Sequence, residues 1–358
     1  MLSSAGPYPL SLAVPHFGRR VKTPGPECVH APPVCPLGSA LPGLRDLYKP
    51  VASVPDSVCP PLSPVVILPE RGIESSMRPA FRDGREGHME QGFAFSEIDT
   101  SKPHPARLYD FYLGGKDNYA ADRAAAKQVL QVAPEVRVMA RENRAFLRRA
   151  VRFLVKEAGI DQIIDIGTGI PTAGNVHQIA GEIAPDTRVV YIDNDPIVHL
   201  HASALLTGSG ATRIVLADLR EPEVILAHPK VRELIDFRRP VALLLVAIVH
   251  FITDAEDPAG ILSVFRDTLV PGSYLALSHG TSDFHAPETV GQAAAVYERA
   301  TAPLVLRSHA QITALFDGFT LVDPGLVQVP LWRPDGRPPR PKDLVKIAIY
   351  GGVGRRNG

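Results

Sequence analysis

The stretch Gln162–Thr172, QIIDIGTGIPT, decides the fold. It opens as a short apolar run, passes through Asp165, and turns at Gly167-Thr168-Gly169 into a helical pattern read over Thr172–Ile183. An apolar strand, a glycine turn and a helix form the first half of a βαβ unit. The alternation then repeats. Strands are expected at Arg188–Ile192, Arg213–Leu216, Val241–Val249 and Gly272–Ser278. Helices are expected at Pro196–Leu206, Lys230–Asp236, Pro258–Leu269 and Pro287–Ala300. Strands alternating with helices make an α/β fold with a parallel sheet covered on both faces. Val241–Val249 is the longest apolar run. It suits a strand buried on both faces and is far too short for a bilayer, which needs about 20 residues.

Downstream, Ser308–Phe316 reads as a short helix. Phe319–Val322 and Leu344–Tyr350 read as two late strands, with a Pro-rich loop from Pro330 to Pro341 between them. Upstream, Ala106–Leu113 and Tyr119–Val132 read as helices separated by Gly114-Gly115. Pro134–Glu157 reads as a long amphipathic helix, with Val138, Phe146, Leu147, Val151, Leu154 and Val155 near helical spacing and Gly159 as its stop. The expected organisation is a helical cap over 100–158 and a sheet domain over 159–353.

Residues 1–90 differ. Sixteen of the chain's 35 prolines stand before residue 80, and no helical or strand period survives there. Such a segment buries too little apolar surface to offset its ordering entropy, which predicts a disordered extension. A start assigned too far upstream gives the same composition, with Met77 or, better, Met89 as the alternative. The N-terminus shows no signal peptide, because Pro7, Pro9 and Pro15 interrupt its apolar stretch. The cysteines, Cys28, Cys35 and Cys59, match no zinc spacing and form no even disulfide set. A cytoplasmic location is expected. With 38 basic and 38 acidic side chains, the charge gives no general attraction to nucleic acid or membrane.

In an open parallel sheet the ligand binds outside the carboxyl ends of the strands. After the first strand, Gly167 and Gly169 permit close approach of a ligand, and Thr168 lies between them. The dinucleotide pattern G-x-G-x-x-G fails at Thr172. Asp165 would repel a pyrophosphate but attract the sulfonium and ammonium groups of S-adenosylmethionine (SAM), so the loop favours SAM over NAD. A ligand-free turn gives the same string. After the second strand come Asp193-Asn194-Asp195: Asp193 is placed on ribose hydroxyls, and Asp195 is placed as the cap of the next helix. After the third, Asp218-Leu219 offers an acceptor for an exocyclic amine, or a solvated turn. After the fourth, His250 lines the site near the transferred group and is the one catalytic candidate. His279 follows the fifth strand. The pair His250/His279 lacks a third ligand, and His199 and His201 diverge on their helix, so no metal is expected.

These residues in this order resemble a class I SAM-dependent methyltransferase, and Leu269–Leu275 resembles the helix-to-strand junction common there. A narrower resemblance lies in Ala106–Arg123, ARLYDFYLGGKDNYAADR, followed by Ala140–Leu147, ARENRAFL, and by the Asp165–Thr172 loop. All three are similar to the opening of an actinobacterial family of SAM-dependent methyltransferases. The resemblance covers about Ala106–Gly352. It implies a Rossmann-like fold with a seven-stranded, mostly parallel sheet ending in an antiparallel hairpin, and SAM as cofactor. The Gly114–Asn118 loop could fold over the methionine end, with Asn118 or Arg141 reaching its carboxylate; a helix–helix turn with solvated charges fits the same string. A small-molecule acceptor is expected. The alternative is a SAM-binding sensor or assembly protein without turnover. A nucleic-acid acceptor is disfavoured, because Ala247–His250 stands where an Asn-Pro-Pro-Tyr-like motif would.

Overall fold

The structure is a computed structural model that describes residues 98–172, 174–205 and 210–358. The Pro-rich segment 1–90, its three cysteines and both alternative starts lie outside the described residues.

Three helices come first: α1 (Pro105–Leu113), α2 (Ala120–Val132) and α3 (Val136–Arg152). Pro105 opens α1 where its missing N–H costs nothing, and Gly114 ends it at φ +87°. Asp122 in the first turn of α2 accepts from the backbone N–H of Tyr119 (2.8 Å) and of His104 (2.9 Å), which ties the start of α2 to the start of α1. The long helix read over Pro134–Glu157 is α3 followed by a π-helical turn, Phe153–Glu157, and Gly159 (φ +70°) stops it.

The sheet domain then runs β1 (Gln162–Ile166), α4 (Val176–Gly181), β2 (Arg188–Asp193), α5 (Pro196–Leu205), β3 (Thr212–Leu216), α6 (Pro222–Ala227), α7 (Pro229–Leu234), β4 (Ala242–Val246), α8 (Pro258–Thr268) and β5 (Tyr274–Gly280). It continues with α9 (Pro287–Tyr297), α10 (His309–Ala314), β6 (Phe319–Leu321), β7 (Val327–Gln328), α11 (Pro341–Leu344) and β8 (Ile349–Arg356). The strand order is β3-β2-β1-β4-β5-β8-β6, with the two-residue β7 also paired to β8. The first five strands are parallel, whereas β8 is antiparallel to both β5 and β6. The expected seven strands are present in a mostly parallel sheet, and β7 makes an eighth.

Alternate residues of each strand face opposite layers. Ile163, Val189, Tyr191, Leu244 and Ala276 pack against α3 and α4. Ile164, Val190, Ile192, Leu243 and Leu277 pack against α6, α7 and α8. A third cluster joins α1, α2 and α9 through Leu108, Ala126, Val129, Val296 and Tyr297, and this cluster forms the cap.

Three expectations are corrected. The last strand begins at Ile349 rather than Leu344, because Leu344 ends α11. Its glycines are interior: a Cβ on Gly351 would lie 2.8 Å from the Val329 side chain and 3.0 Å from Phe146, and one on Gly354 would lie 2.8 Å from Phe319. Val249 leaves β4 and opens a single 3-10 turn, Val249–Phe251. The helix after β1 starts at Val176 rather than Thr172, with Asn175 accepting from the N–H of Thr172 (3.1 Å) and Gln178 from that of Asn175 (2.9 Å). The glycine turn therefore stands apart from that helix N-terminus.

Candidate active site

A cavity of about 240 Å³ opens at the carboxyl ends of β1, β2, β3 and β4. Asp165, Gly167, Thr168, Gly169, Asp193, Asn194, Asp218, Leu219 and His250 all line it. Parallel strands carry these residues to one edge of the sheet, although up to 85 positions separate them in sequence.

Asp193 is buried at 5% exposure. One of its oxygens accepts from the Gly169 N–H (2.8 Å) and the other from the Asp195 N–H (3.0 Å). Each oxygen keeps a second lone pair for a ligand hydroxyl. Burial pushes its carboxyl up to about 6. Asp165 is buried to the same degree, and its carboxylate accepts no hydrogen bond among the described residues. Burial pushes it up to about 7, opposed by Arg144 and reinforced by Asp193. A buried acid facing a cavity without a partner is costly unless a cation arrives there. Gly167 holds φ +73°, and a Cβ there would stand 2.7 Å from Ile248, so β1 and β4 loops meet at this point. Asp218 accepts from Asn194 Nδ2 (2.8 Å) and the Arg220 N–H (2.9 Å).

Asp195 caps α5, accepting from the Ile197 N–H at 3.0 Å. Its second oxygen lies 3.0 Å from Arg107 Nε as an ion pair without hydrogen-bond alignment. The cap of one helix thereby holds α1 over the strand ends.

Asn118 and Arg141 are not brought to the cavity. Asn118 Nδ2 donates to Asp110 (2.7 Å) and to the Gly115 carbonyl (3.1 Å), which closes the α1–α2 turn internally. Arg141 is exposed on α3. Arg144 lines the cavity instead and donates to Thr172 Oγ1 at 2.9 Å. It sits three residues on, about 60° round the helix. The segment was legible in the sequence; which of its arginines faces inward was not.

His250 packs edge-on against Phe251, with ring centroids 4.4 Å apart. Its Nδ1 accepts from the Gly280 N–H at 3.2 Å. Burial, with His279 and Arg307 nearby, holds its imidazole well below the ordinary range. His279 is fully buried between Arg307 Nη1 (3.0 Å) and the Gly280 carbonyl (2.6 Å) and serves the scaffold. Among the described residues no cluster of three or more His, Cys, Asp or Glu could hold a metal ion. No helix among them is long and apolar enough to cross a membrane.

The S-adenosyl methyltransferase family matches residues 91–357. The chain belongs to the S-adenosyl methyltransferase family. A DUF574-family protein from Streptomyces avermitilis is 46% identical, spans 73% of this chain and 100% of its own, and superposes with a TM-score of 0.69. A candidate methyltransferase from Thermobifida fusca is 41% identical, spans 73% of this chain and 97% of its own, and gives the same TM-score of 0.69. No curated protein matches. The protein is a SAM-dependent methyltransferase, and SAM is its cofactor.

The residues present fit that cofactor. SAM carries an ammonium and a sulfonium, and the unpartnered Asp165 carboxylate offers the complementary charge.

Proposed function

We propose that the protein methylates a small, uncharged and largely apolar molecule. One observation carries the reading: the cavity continues past the strand ends into a chamber walled by α2, α3 and α9, where Val129, Val136, Met139, Val290, Tyr297 and Leu304 line it. The only arginines among the lining residues, Arg144 and Arg220, stand at the donor half, and no lysine lines it.

In this reading Asp165 holds the SAM ammonium, Arg144 its carboxylate, Asp193 the ribose hydroxyls, and Asp218 with Leu219 the adenine. The Gly167-Thr168-Gly169 turn lets the backbone approach, and Asn194 steadies Asp218. When bound, SAM supplies an electrophilic methyl carbon on a good leaving group. The chain contributes alignment and exclusion of water, which can be worth roughly 7–11 kcal/mol in favourable cases. His250 orients the acceptor. Because its Nδ1 takes the Gly280 N–H, its proton sits on Nε2, and that nitrogen donates rather than accepts.

Two measurements test this. Asp193→Ala should weaken SAM binding about 10- to 100-fold by calorimetry, the range for one hydrogen-bonded charged group. Incubation with isotope-labelled SAM and a panel of apolar hydroxyl and amine compounds should give a labelled small-molecule product. Label found only in protein or nucleic acid would exclude the small-molecule reading.

A further inference from the structure

One histidine that lines the cavity and that the donor site does not use, His285, is paired with a carboxylate. His285 lies between β5 and α9 and lines the cavity beside Thr289 and Val290. Its Nε2 stands 2.8 Å from Oε1 of Glu135, the residue that precedes α3. The two side chains are 17% and 19% exposed. An ionised carboxylate only accepts, so Nε2 carries the proton and Nδ1 keeps its lone pair. Among the described residues Nδ1 has no hydrogen-bond partner. A carboxylate that orients an imidazole, fixes its tautomer and stabilises the imidazolium is the logic of the hydrolase triads.

His250 supplies the contrast. The Gly280 N–H fixes its tautomer the other way, the residue is buried at 8% exposure, and among the described residues no carboxylate hydrogen-bonds to it. A proton taken up there would be an uncompensated buried charge. At His285 the same proton would meet Glu135. The chamber adds an aromatic wall, with the Phe251 and Tyr297 rings 5.7 Å apart. It brings no cation to hold a carboxylate acceptor, and a neutral amine would need no base.

We propose that His285 accepts the proton of the methyl acceptor, that Glu135 is its positioning residue, and that the acceptors are apolar phenols. The inference rests on the reading of the chamber as the acceptor site. In the step, the phenolic O–H bond breaks and its proton passes to His285 Nδ1. An oxygen lone pair forms the O–CH₃ bond. The C–S bond breaks with its electron pair going to sulfur, which leaves S-adenosylhomocysteine as a neutral thioether. The imidazolium then returns the proton to solvent.

The test uses the full chain saturated with S-adenosylhomocysteine, with saturation measured separately by calorimetry. The probe is 4-nitrophenol, whose phenolate absorbs in the visible and whose phenol does not. At a pH below its own pKa, binding should produce the phenolate band. His285→Gln should still bind the probe but leave it protonated, and Glu135→Gln should lower the phenolate fraction about tenfold. With SAM present, 4-nitroanisole formation should fall about 100-fold or more in kcat in His285→Gln, with KM little changed, as expected for loss of a general base. Should that variant fail to fold, Glu135→Gln carries the same readout. The proposal is overturned if the probe does not bind, if it binds without ionising, or if the band survives in the His285 variant. Failure of S-adenosylhomocysteine itself to bind would instead remove the donor site, and the proposal with it.

Discussion

At the scale of single residues, the two carboxylates at the ends of β1 and β2 make binding sensitive to pH. Burial raises Asp165 to about 7 from an ordinary 3.8. In the ligand-free protein the folded state therefore keeps a proton that the unfolded chain has lost over that window. The contribution of this group to stability is full below pH 3.8 and is lost as pH rises through about 7. A protonated Asp165 does not attract an ammonium. SAM affinity should accordingly rise with pH up to about 7, with protons released on binding at pH 6. Calorimetry in two buffers of different ionisation enthalpy measures both quantities. Asp165→Asn should leave only the lower part of the dependence, which belongs to Asp193 near 6. An affinity in the unchanged protein that is flat from pH 5 to 8 would contradict the assignment. The sequence made both carboxylates visible, because each stands at the carboxyl end of a strand. It could not show that Asp165 is left unpartnered, since that depends on which side chains the cap brings near.

Among the elements, β8 shows how packing overrides local pattern. The sequence reading ends the last strand at Tyr350, yet Gly351, Gly352 and Gly354 lie inside a strand held between β5 and β6. They are required because Phe146, Val329, Phe316 and Phe319 occupy the space a Cβ would need. Gly351→Val should destabilise the fold by about 1–3 kcal/mol through overpacking, read as a lowered midpoint in thermal or denaturant unfolding. An unchanged midpoint would mean that β8 is loosely held. The helix α3 gives the complementary case. Its 3.6-residue pattern marks Phe146, Leu147 and Val151 as buried, and they are. Arg144 sits at the border of that face, where hydropathy is silent, so Arg141 was as good a reading from the sequence alone. Asn118 was misplaced for a related reason. A tight polar loop can turn outward to a ligand or inward to its own Asp110, and only the α1–α2 geometry decides.

For the molecule as a whole, every described residue lining the cavity lies between His104 and Ile349, inside the span matched by the family. A chain comprising residues 91–358 should bind SAM with the same dissociation constant as the full chain. A loss of more than about tenfold, or 1.4 kcal/mol, would assign the preceding residues a part in the site. The sequence by itself determined the α/β class, the parallel sheet, the glycine turn and the carboxylates at successive strand ends. Those are properties of local period and of which residue follows each strand, and a parallel sheet places every such residue at one edge. Tertiary structure alone decided that Arg144 faces the cavity, that His250 is held as a donor, and that Glu135 meets His285 across 150 residues of chain. The reason is that each contact joins segments far apart in sequence, α3 to the loop after β1, the Val249–Phe251 turn to β5, and Glu135 to the loop between β5 and α9, and no periodicity within one segment carries the position of the other.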